Sequence, residues 1–429
     1  MPETTDPFAQ AESLRKEHRY SEAAQIYATL WKQKPDPRVG WRLAFCRRKQ
    51  GQLDQAESIA RKALELAPGD SFVQSELGWV LYERHIKPAK ESSDLGRVLY
   101  GARQILDLNP QDLLLKLVSL AVMKVAKERG QWAVVEEWSA RLDPADLEKE
   151  AREVNGKKTM SEREVWYLQR TRALLELGRY HEALETAQAG LQDFPDELFL
   201  QRTIAQAQAE LGRLDEGIAL LQRLLNHPRA DWYLYADLAG LEARAGRRDE
   251  AYRHFCTALL STNQGPEYKL GYLIALADLA LELGQPVAAA LHLALVKAVR
   301  MEKGWKVPPE DLDIEQRVRQ ALAQQGLTWP ELPQDSKGLE TRCRQIWKEG
   351  QTRGLTFYTG TVKEAPEQRK FTYIQPDGGG EDVFVLVRDL PRDCQAEGCR
   401  VRYALEKTFD RKKNREAWRA VHVSRLKEA

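Results

Sequence analysis

Apolar residues recur at three- and four-residue spacing along most of the chain, and from about residue 355 they alternate with polar residues. The first pattern is typical of helices that bury one face, as in Leu220, Leu221, Leu224 and Leu225. The second is typical of strands, whose successive side chains point to opposite faces. The pattern therefore predicts a mainly α chain, with a long helical region followed by a small all-β domain.

A glycine returns every 34 residues in the helical region. Gly178, Gly212 and Gly246 occupy the same place in the phrases LGRYHEA, LGRLDEG and AGRRDEA. A fixed period of this length is typical of stacked helical hairpins. Glycine suits the turn between the two helices because it tolerates a positive φ. With weaker copies on both sides, we expect two blocks of repeats, 5–150 and 160–326, the second ending in a capping helix.

These phrases resemble the tetratricopeptide repeat (TPR), and the resemblance covers roughly residues 5–300. It implies a right-handed superhelix whose concave face, built from the first helix of each hairpin, binds a peptide or protein. Some TPR proteins clamp a C-terminal carboxylate with Lys and Asn on successive first helices. The corresponding positions here carry other residues, so that clamp is not expected: Phe8, Glu12, Trp41, Phe45, Arg202 and Gln206.

Tryptophans of the array and basic residues of the connector each allow two interpretations. Packing between repeats is the preferred role of Trp31, Trp41, Trp79, Trp132, Trp138, Trp166 and Trp232, with partner binding as the alternative. The sequence of residues 327–352 predicts a linker that contains several prolines, followed by a short helix. Arg342, Arg344 and Lys348 on that helix are interpreted as a solvated face, with an extended basic surface as the alternative.

Five short strands are predicted in the β domain, which we assign to residues 353–427. Gly/Pro/Asp clusters separate them, and five strands in so short a segment suggest a small barrel of the OB type. The predicted strands are 355–363, 370–375, 383–387, 399–408 and 417–424.

The amino-acid sequence of these strands resembles that of a cold-shock domain. The phrases are GTVK at 360–363, RKFTYIQPD at 369–377 and GGEDVFV at 379–385. The resemblance covers about residues 355–426 and implies binding of single-stranded RNA or DNA by stacking of bases on exposed rings. The chain departs from the family pattern at Glu364-Ala365, at Lys370 and at Leu386-Val387.

Strand alternation gives the expected binding surface. Phe371 and Tyr373 should project from one face of a strand, with Phe384 beside them on the next. Stacking on such rings would bind bases, and a basic rim would attract phosphates. We expect that rim at Lys363, Arg369, Lys370, Arg411, Lys412, Lys413 and Arg415. In the alternative interpretation, the three rings are buried beneath the scaffold or a partner.

Charge and composition add limited constraints. Residues 351–429 carry a net charge of +4 and the remainder −3, which weakly favours a polyanion at the β domain. No uninterrupted apolar stretch predicts a membrane span, and no secretory signal is recognisable at the N-terminus. Five scattered cysteines suit a reducing cytoplasm, and Cys394 and Cys399 are expected to be free thiols.

No motif for catalysis, a metal or a cofactor was found, so we expect a protein that is not an enzyme. The sequence favours an RNA-associated adaptor in which the array binds a protein and the β domain binds single-stranded nucleic acid. The alternative is a pure protein-interaction scaffold whose β domain docks a protein. Either could be the regulatory subunit of a separate enzyme.

Overall fold

Helical hairpins and then a β-barrel make up the chain, in the order that the apolar pattern predicts. The structure is a computed structural model that describes residues 6–151, 153–154, 156–262, 264–364, 370–410 and 415–426. The chain divides into two units, residues 1–203 and 204–429. Within the described ranges, no helix combines the length and apolarity needed to cross a membrane.

The first unit consists of antiparallel helix pairs. In the third pair, the first helix is prolonged by a π-helical turn, Tyr82–Ile86, and by a short helix, α6. A two-residue hairpin, β1 Glu153–Val154 and β2 Lys157–Lys158, interrupts the helices. The helices are α1 Pro7–Lys16, α2 Tyr20–Gln33, α3 Pro37–Lys49, α4 Leu53–Leu66, α5 Ser71–Leu81, α6 Lys87–Glu91, α7 Leu95–Leu106, α8 Asp112–Glu128, α9 Trp132–Ser139, α10 Glu162–Glu176 and α11 Tyr180–Asp193.

The second unit continues the array and adds two more helices and the barrel. Helix α12 (Leu198–Glu210) crosses the boundary between the units. The remaining helices are α13 Leu214–Leu224, α14 Trp232–Arg244, α15 Arg248–Leu260, α16 Leu270–Glu282, α17 Pro286–Lys303, α18 Pro309–Gln324 and α19 Ser336–Gly350.

The repeated glycines and small residues do what the period predicts. Gly246 has φ 74°, in the left-handed region, at the turn between α14 and α15. Gly217 lies where α13 crosses α12, and an added Cβ would come within 2.6 Å of the Ala205 carbonyl oxygen. Ala251, in the equivalent place of the next hairpin, is fully buried. These residues let the helices approach closely, so the hairpins stack.

Helix α19 packs into the array instead of merely leading to the barrel. Leu339, Cys343 and Trp347 on one of its faces join the apolar core formed by α14 to α18. Arg353, just after α19, forms an ion pair with Asp249 of α15 at 2.6 Å. The connector therefore anchors the barrel to the last repeats.

The barrel has five strands: β3 Phe357–Val362, β4 Phe371–Pro376, β5 Val383–Leu386, β6 Arg400–Asp410 and β7 Arg415–Arg425. Their order is β3-β4-β5-β7-β6, closed by β3 pairing with β6, and β5 and β7 run parallel. Val362, Ile374 and Val385 lie in its core. The prediction of free thiols was wrong, because Cys394 and Cys399 form a disulfide in the loop before β6, with Cα atoms 5.2 Å apart.

Candidate nucleic-acid interface

Three aromatic side chains share the outer face of two neighbouring barrel strands. Phe371 and Tyr373 lie on β4, and Phe384 on β5 pairs directly with Tyr373. The ring centroids are 6.0 Å apart for Phe371–Tyr373, 5.4 Å for Phe371–Phe384 and 6.2 Å for Tyr373–Phe384. Tyr373 is 40% exposed, and the two phenylalanines are partly exposed. We call these three side chains the ring surface.

Alternation along the strands keeps these rings outside the barrel. Thr372 and Ile374, the neighbours of Tyr373, are buried, and so is Val385 beside Phe384. The Thr372 hydroxyl donates to the carbonyl oxygens of Lys363 and Glu364, at 2.9 and 3.0 Å. The buried Thr372 hydroxyl therefore has hydrogen-bond partners inside the barrel. The alternation of buried and outward side chains agrees with the one predicted from the sequence.

The basic rim is only partly described. The Lys363 N–H donates to the Tyr373 carbonyl at 2.9 Å, so Lys363 lies beside the ring surface, as does Lys370, which is exposed and precedes Phe371. The Lys363 ammonium pairs with Asp382 at 2.6 Å, which neutralises its charge. The other predicted basic residues are Arg369, Arg411, Lys412 and Lys413, which lie outside the described residues, and Arg415, which contributes its backbone to β7.

A row of charged side chains continues from the ring surface across the barrel. Arg419 on β7 pairs with Phe384, and Glu406 on β6 pairs with Arg419. The Arg419 guanidinium donates two hydrogen bonds to Glu406, at 2.8 and 2.6 Å. Opposite residues on paired strands share a face, so this ion pair and the rings lie on one continuous outer surface.

His254 of α15 joins this row to the helical array. Its Nδ1 lies 2.6 Å from Glu242 Oε2, and its Nε2 lies 3.8 Å from Glu406 Oε1. Burial alone lowers the pKa of His254, but the interactions with Glu242 and Glu406 outweigh burial and raise the pKa to about 9. Burial likewise raises the pKa of Glu406, whereas His254 and Arg419 lower it to about 2. A charged imidazolium thus bridges a carboxylate of the array and one of the barrel.

The barrel is therefore docked on the array while its ring surface stays open. One part of the outer face, at β6 and β7, meets α14 and α15, and the other, at β4 and β5, carries the rings. Burial of the rings under the scaffold, the alternative weighed from the sequence, does not occur, since Tyr373 keeps 40% of its surface exposed. Docking leaves a surface on which planar groups can stack.

A cleft of about 880 Å³ lies beside this contact, between α13 to α15 and the hairpin of β6 and β7. Trp418 and Tyr358, which are 52% and 44% exposed, line it together with Lys407 and His422. His422 has φ 50°, a conformation that is uncommon in a strand and turns its side chain away from the regular alternation. Both acidic and basic side chains line the cleft, so it favours no single charge of ligand.

No pattern in the sequence indicates the residues that dock the barrel on the array. Glu242 and His254 lie on helical repeats, and Glu406 and Arg419 lie more than 150 residues further along the chain. No local spacing connects the two pairs, so no motif marks them. The outward position of Arg419 beside Phe384 could have indicated the docking face. It becomes visible only once the pairing of β5 with β7 is known.

The His254 bridge predicts a pH-dependent stability. Its pKa is about 9 in the folded chain and about 6.5 when unfolded, so its contribution is complete below about pH 6.5 and disappears as the pH rises through 9. We expect His254→Gln to lower the free energy of unfolding most at pH 6, and hardly at pH 10. Urea unfolding of both chains across this range measures the difference.

The exposed residue His181 provides the control. His181→Gln should leave the free energy of unfolding unchanged at every pH. If the deficit of His254→Gln were the same at pH 6 and pH 10, the imidazolium bridge would be refuted.

Two parts of the chain match family models. Residues 14–75 match the tetratricopeptide repeat, and residues 198–325 match a family described as a domain of unknown function, DUF7017. No curated protein matches the chain. Tetratricopeptide repeats thus form the N-terminal region, and the chain is a helical-repeat scaffold that ends in a five-stranded barrel.

Solved structures of helical-repeat proteins resemble the chain at low identity. A tetratricopeptide repeat protein from Parabacteroides merdae is 12% identical, with a TM-score of 0.31, covering 64% of this chain and 97% of that one. The human IFIT1 dimer with PPP-AAAA is 14% identical, with a TM-score of 0.39 and 73% of each chain covered. YrrB, described as a TPR protein with an unusual peptide-binding site, is 15% identical, with a TM-score of 0.30, covering 52% and 99%.

Proposed function

We propose that the chain is an adaptor that binds single-stranded RNA, or DNA, on the ring surface while its helical repeats bind a protein partner. The observation that carries the proposal is the open cluster of Phe371, Tyr373 and Phe384 on two adjacent strands. Their alternate neighbours are buried, so the rings face outward although they are large apolar groups. An outward aromatic cluster of this kind is a surface for stacking.

Stacking explains how such a surface binds single strands. Every base has a π face, and each base stacked on a ring contributes roughly 1–3 kcal/mol, with little preference for sequence. Lys370 lies beside Phe371 and is exposed, so it is placed to attract a phosphate. The Lys363–Asp382 ion pair must open before Lys363 can do the same.

The strand topology of the barrel and its sequence both support the assignment of this domain as cold-shock-like. The five strands, with a parallel β5–β7 pair, suit a small barrel of the OB type. Within the phrases GTVK, RKFTYIQPD and GGEDVFV, residues 360–362 lie on β3, residues 371–376 form β4 and residues 383–385 lie on β5. The departures at Glu364 and at Leu386-Val387 remove rings and add a negative charge, so we expect a weaker interaction than a full set of rings would provide.

Titration of fluorescent single-stranded oligonucleotides tests the proposal with the full chain. Phe371→Ala/Tyr373→Ala removes two rings and should weaken binding at least about tenfold, since two stacking contacts are lost. Binding by the unchanged chain should also weaken steeply as salt rises, because phosphate contacts release counterions.

Tyr268→Ala is the matched control, since Tyr268 is 69% exposed and lies between α15 and α16 of the array, outside the barrel strands. It should bind like the unchanged chain. The proposal fails if the unchanged chain does not bind at low salt, or if the double variant and the control bind equally well.

A second candidate is a scaffold in which the barrel binds only protein. The outer face of β6 and β7 already docks helices of the same chain, and Asp382 neutralises Lys363. In this case any nucleic-acid binding should be insensitive to salt or absent. A role as regulatory subunit of a separate enzyme would be detected by co-purification of that enzyme.

A further inference from the structure

The prolonged third hairpin of the first unit forms a groove that the ring surface does not explain. Two aromatic side chains, Trp79 and Tyr82, and three lysines, Lys87, Lys90 and Lys124, line a depression of about 470 Å³. We call this the lysine groove. It lies between α5, with its π-helical extension, and α8, which are the first helices of consecutive hairpins.

The π-helical turn builds the aromatic part of the groove. Tyr82 begins the turn directly after α5, and its ring meets Trp79 edge to face with the centroids 5.9 Å apart. Both rings remain partly exposed. Because the turn takes five residues instead of four per hydrogen-bonded ring, it shifts the side chains that follow and carries the helix on into α6. Such turns often occur at functional sites.

The lysines of the groove have few carboxylates nearby. Lys87 and Lys124 are exposed and Lys90 is half-buried. Among the described residues, no carboxylate lies within 4.0 Å of Lys87 or Lys90, and the nearest to Lys124 is Glu128 at 3.9 Å. Lys87 and Lys90 thus provide positive charge that no carboxylate within this distance compensates among the described residues, which favours an anionic ligand.

Two glutamates line the groove, Glu83 and Glu91, and only one of them has its charge compensated by an arginine. Glu83 is held at 2.6 Å by the buried Arg48, so its charge is compensated from within the array. Glu91 is exposed at the rim of the groove. Lysines therefore outnumber uncompensated carboxylates, but the positive charge is interrupted.

An acidic protein segment fits this arrangement better than a nucleic acid does. A nucleic-acid strand carries a charge at every phosphate and would be repelled by Glu91. A peptide can space its carboxylates to meet separate lysines, and it can place an apolar side chain against the two rings. The groove also runs between two first helices, so an extended segment can lie across it.

We propose that the lysine groove binds an acidic segment of the protein partner. Its carboxylates lie beside Lys87, Lys90 and Lys124, and an aromatic or aliphatic side chain packs on Trp79 and Tyr82. This inference rests on the array half of the proposed function and names the chemistry of the partner. It does not depend on the ring surface of the barrel.

Selection from a random displayed peptide library tests the inference with the full chain. Peptides selected by the unchanged chain should be enriched in Asp and Glu together with a large apolar residue. Lys87→Glu/Lys90→Glu should weaken binding of the best peptide about tenfold or more, because like charges then face its carboxylates. Lys32→Glu/Lys62→Glu is the matched control, on exposed positions of the second helices α2 and α4.

Three results would overturn the inference. The first is selected peptides without an acidic excess, and the second is equal binding by both charge-reversal variants. The third is loss of oligonucleotide binding in Lys87→Glu/Lys90→Glu, which would make the groove a nucleic-acid site. If the oligonucleotide does not bind the unchanged chain but the acidic peptide does, the RNA proposal fails and this inference stands.

Discussion

Trp347→Ala is expected to destabilise the second unit by about 3–5 kcal/mol, the usual cost of truncating a large buried aromatic. Trp347 is 1% exposed in the core that joins α19 to the last repeats. Its Nε1–H donates to His292 Nε2 at 3.1 Å, and the two rings are nearly parallel. His292 is fully buried, and burial lowers its pKa to about 3, so the neutral imidazole accepts this bond. The variant removes the packing and leaves that nitrogen without a donor.

Urea unfolding measures this loss, and two variants separate its causes. Trp347→Phe keeps most of the ring and removes the N–H, so it should cost about 1–3 kcal/mol, the penalty of an unsatisfied buried acceptor. Trp305→Ala removes a half-exposed ring and should cost much less. A loss from Trp347→Ala no larger than that from Trp305→Ala would show that α19 does not anchor the barrel.

Arg48→Met is expected to destabilise the first unit by about 3–5 kcal/mol, because removing one partner of a buried ion pair leaves the other charge uncompensated. Arg48 binds Glu76 through Nε and Nη2 at 2.7 and 3.0 Å, and both side chains are 6% exposed. Burial raises the pKa of Glu76, and Arg48 opposes this. Without Arg48 that pKa rises further, so the deficit should grow as the pH rises above the ordinary range of a glutamate.

Arg48→Met/Glu76→Leu should recover most of the stability, since a buried pair can often be replaced by apolar side chains of similar volume. Arg38→Met is the control, because the Arg38 side chain is 77% exposed and its pair with Asp36 lies at the surface. Thermal unfolding at several pH values compares the variants. A deficit in Arg48→Met that is absent at pH 7, or that the double variant does not reduce, would contradict this account.

Arg48→Met also affects the lysine groove. It frees Glu83 from its partner at 2.6 Å and so adds a negative charge beside Lys87 and Lys90. The acidic peptide should bind this variant more weakly than the unchanged chain. We therefore expect the loss of the Arg48 guanidinium to reduce both stability and peptide binding.

Much of the fold could be predicted because it depends on local pattern. The glycine at each turn and the small residues at each helix crossing follow a 34-residue period, and the hairpins formed there. In the barrel, alternation placed all ten strand ends within two residues of the observed ends, with β7 beginning two residues earlier and β6 ending two residues later than expected. Period and alternation report which face of an element is buried, so they predict elements well.

The candidate site was predictable to a smaller extent. Alternation identified the shared face of Phe371 and Tyr373, and the strand order then brought Phe384 beside them. The pairing of Lys363 with Asp382 was not expected, because it joins residues of two different segments. Ion pairs of this kind depend on the distance between side chains, which no spacing in the sequence specifies.

The sequence by itself determined the helical array, the five strands and the outward position of the rings on β4. Only the tertiary structure decided that α19 is buried in the array, that His254 bridges Glu242 and Glu406, and that a π-helical turn opens the lysine groove. The physical reason is the range of the interactions. Periodicity follows from one element burying one face, whereas docking and grooves arise when side chains far apart in the chain meet and their charges and volumes must fit.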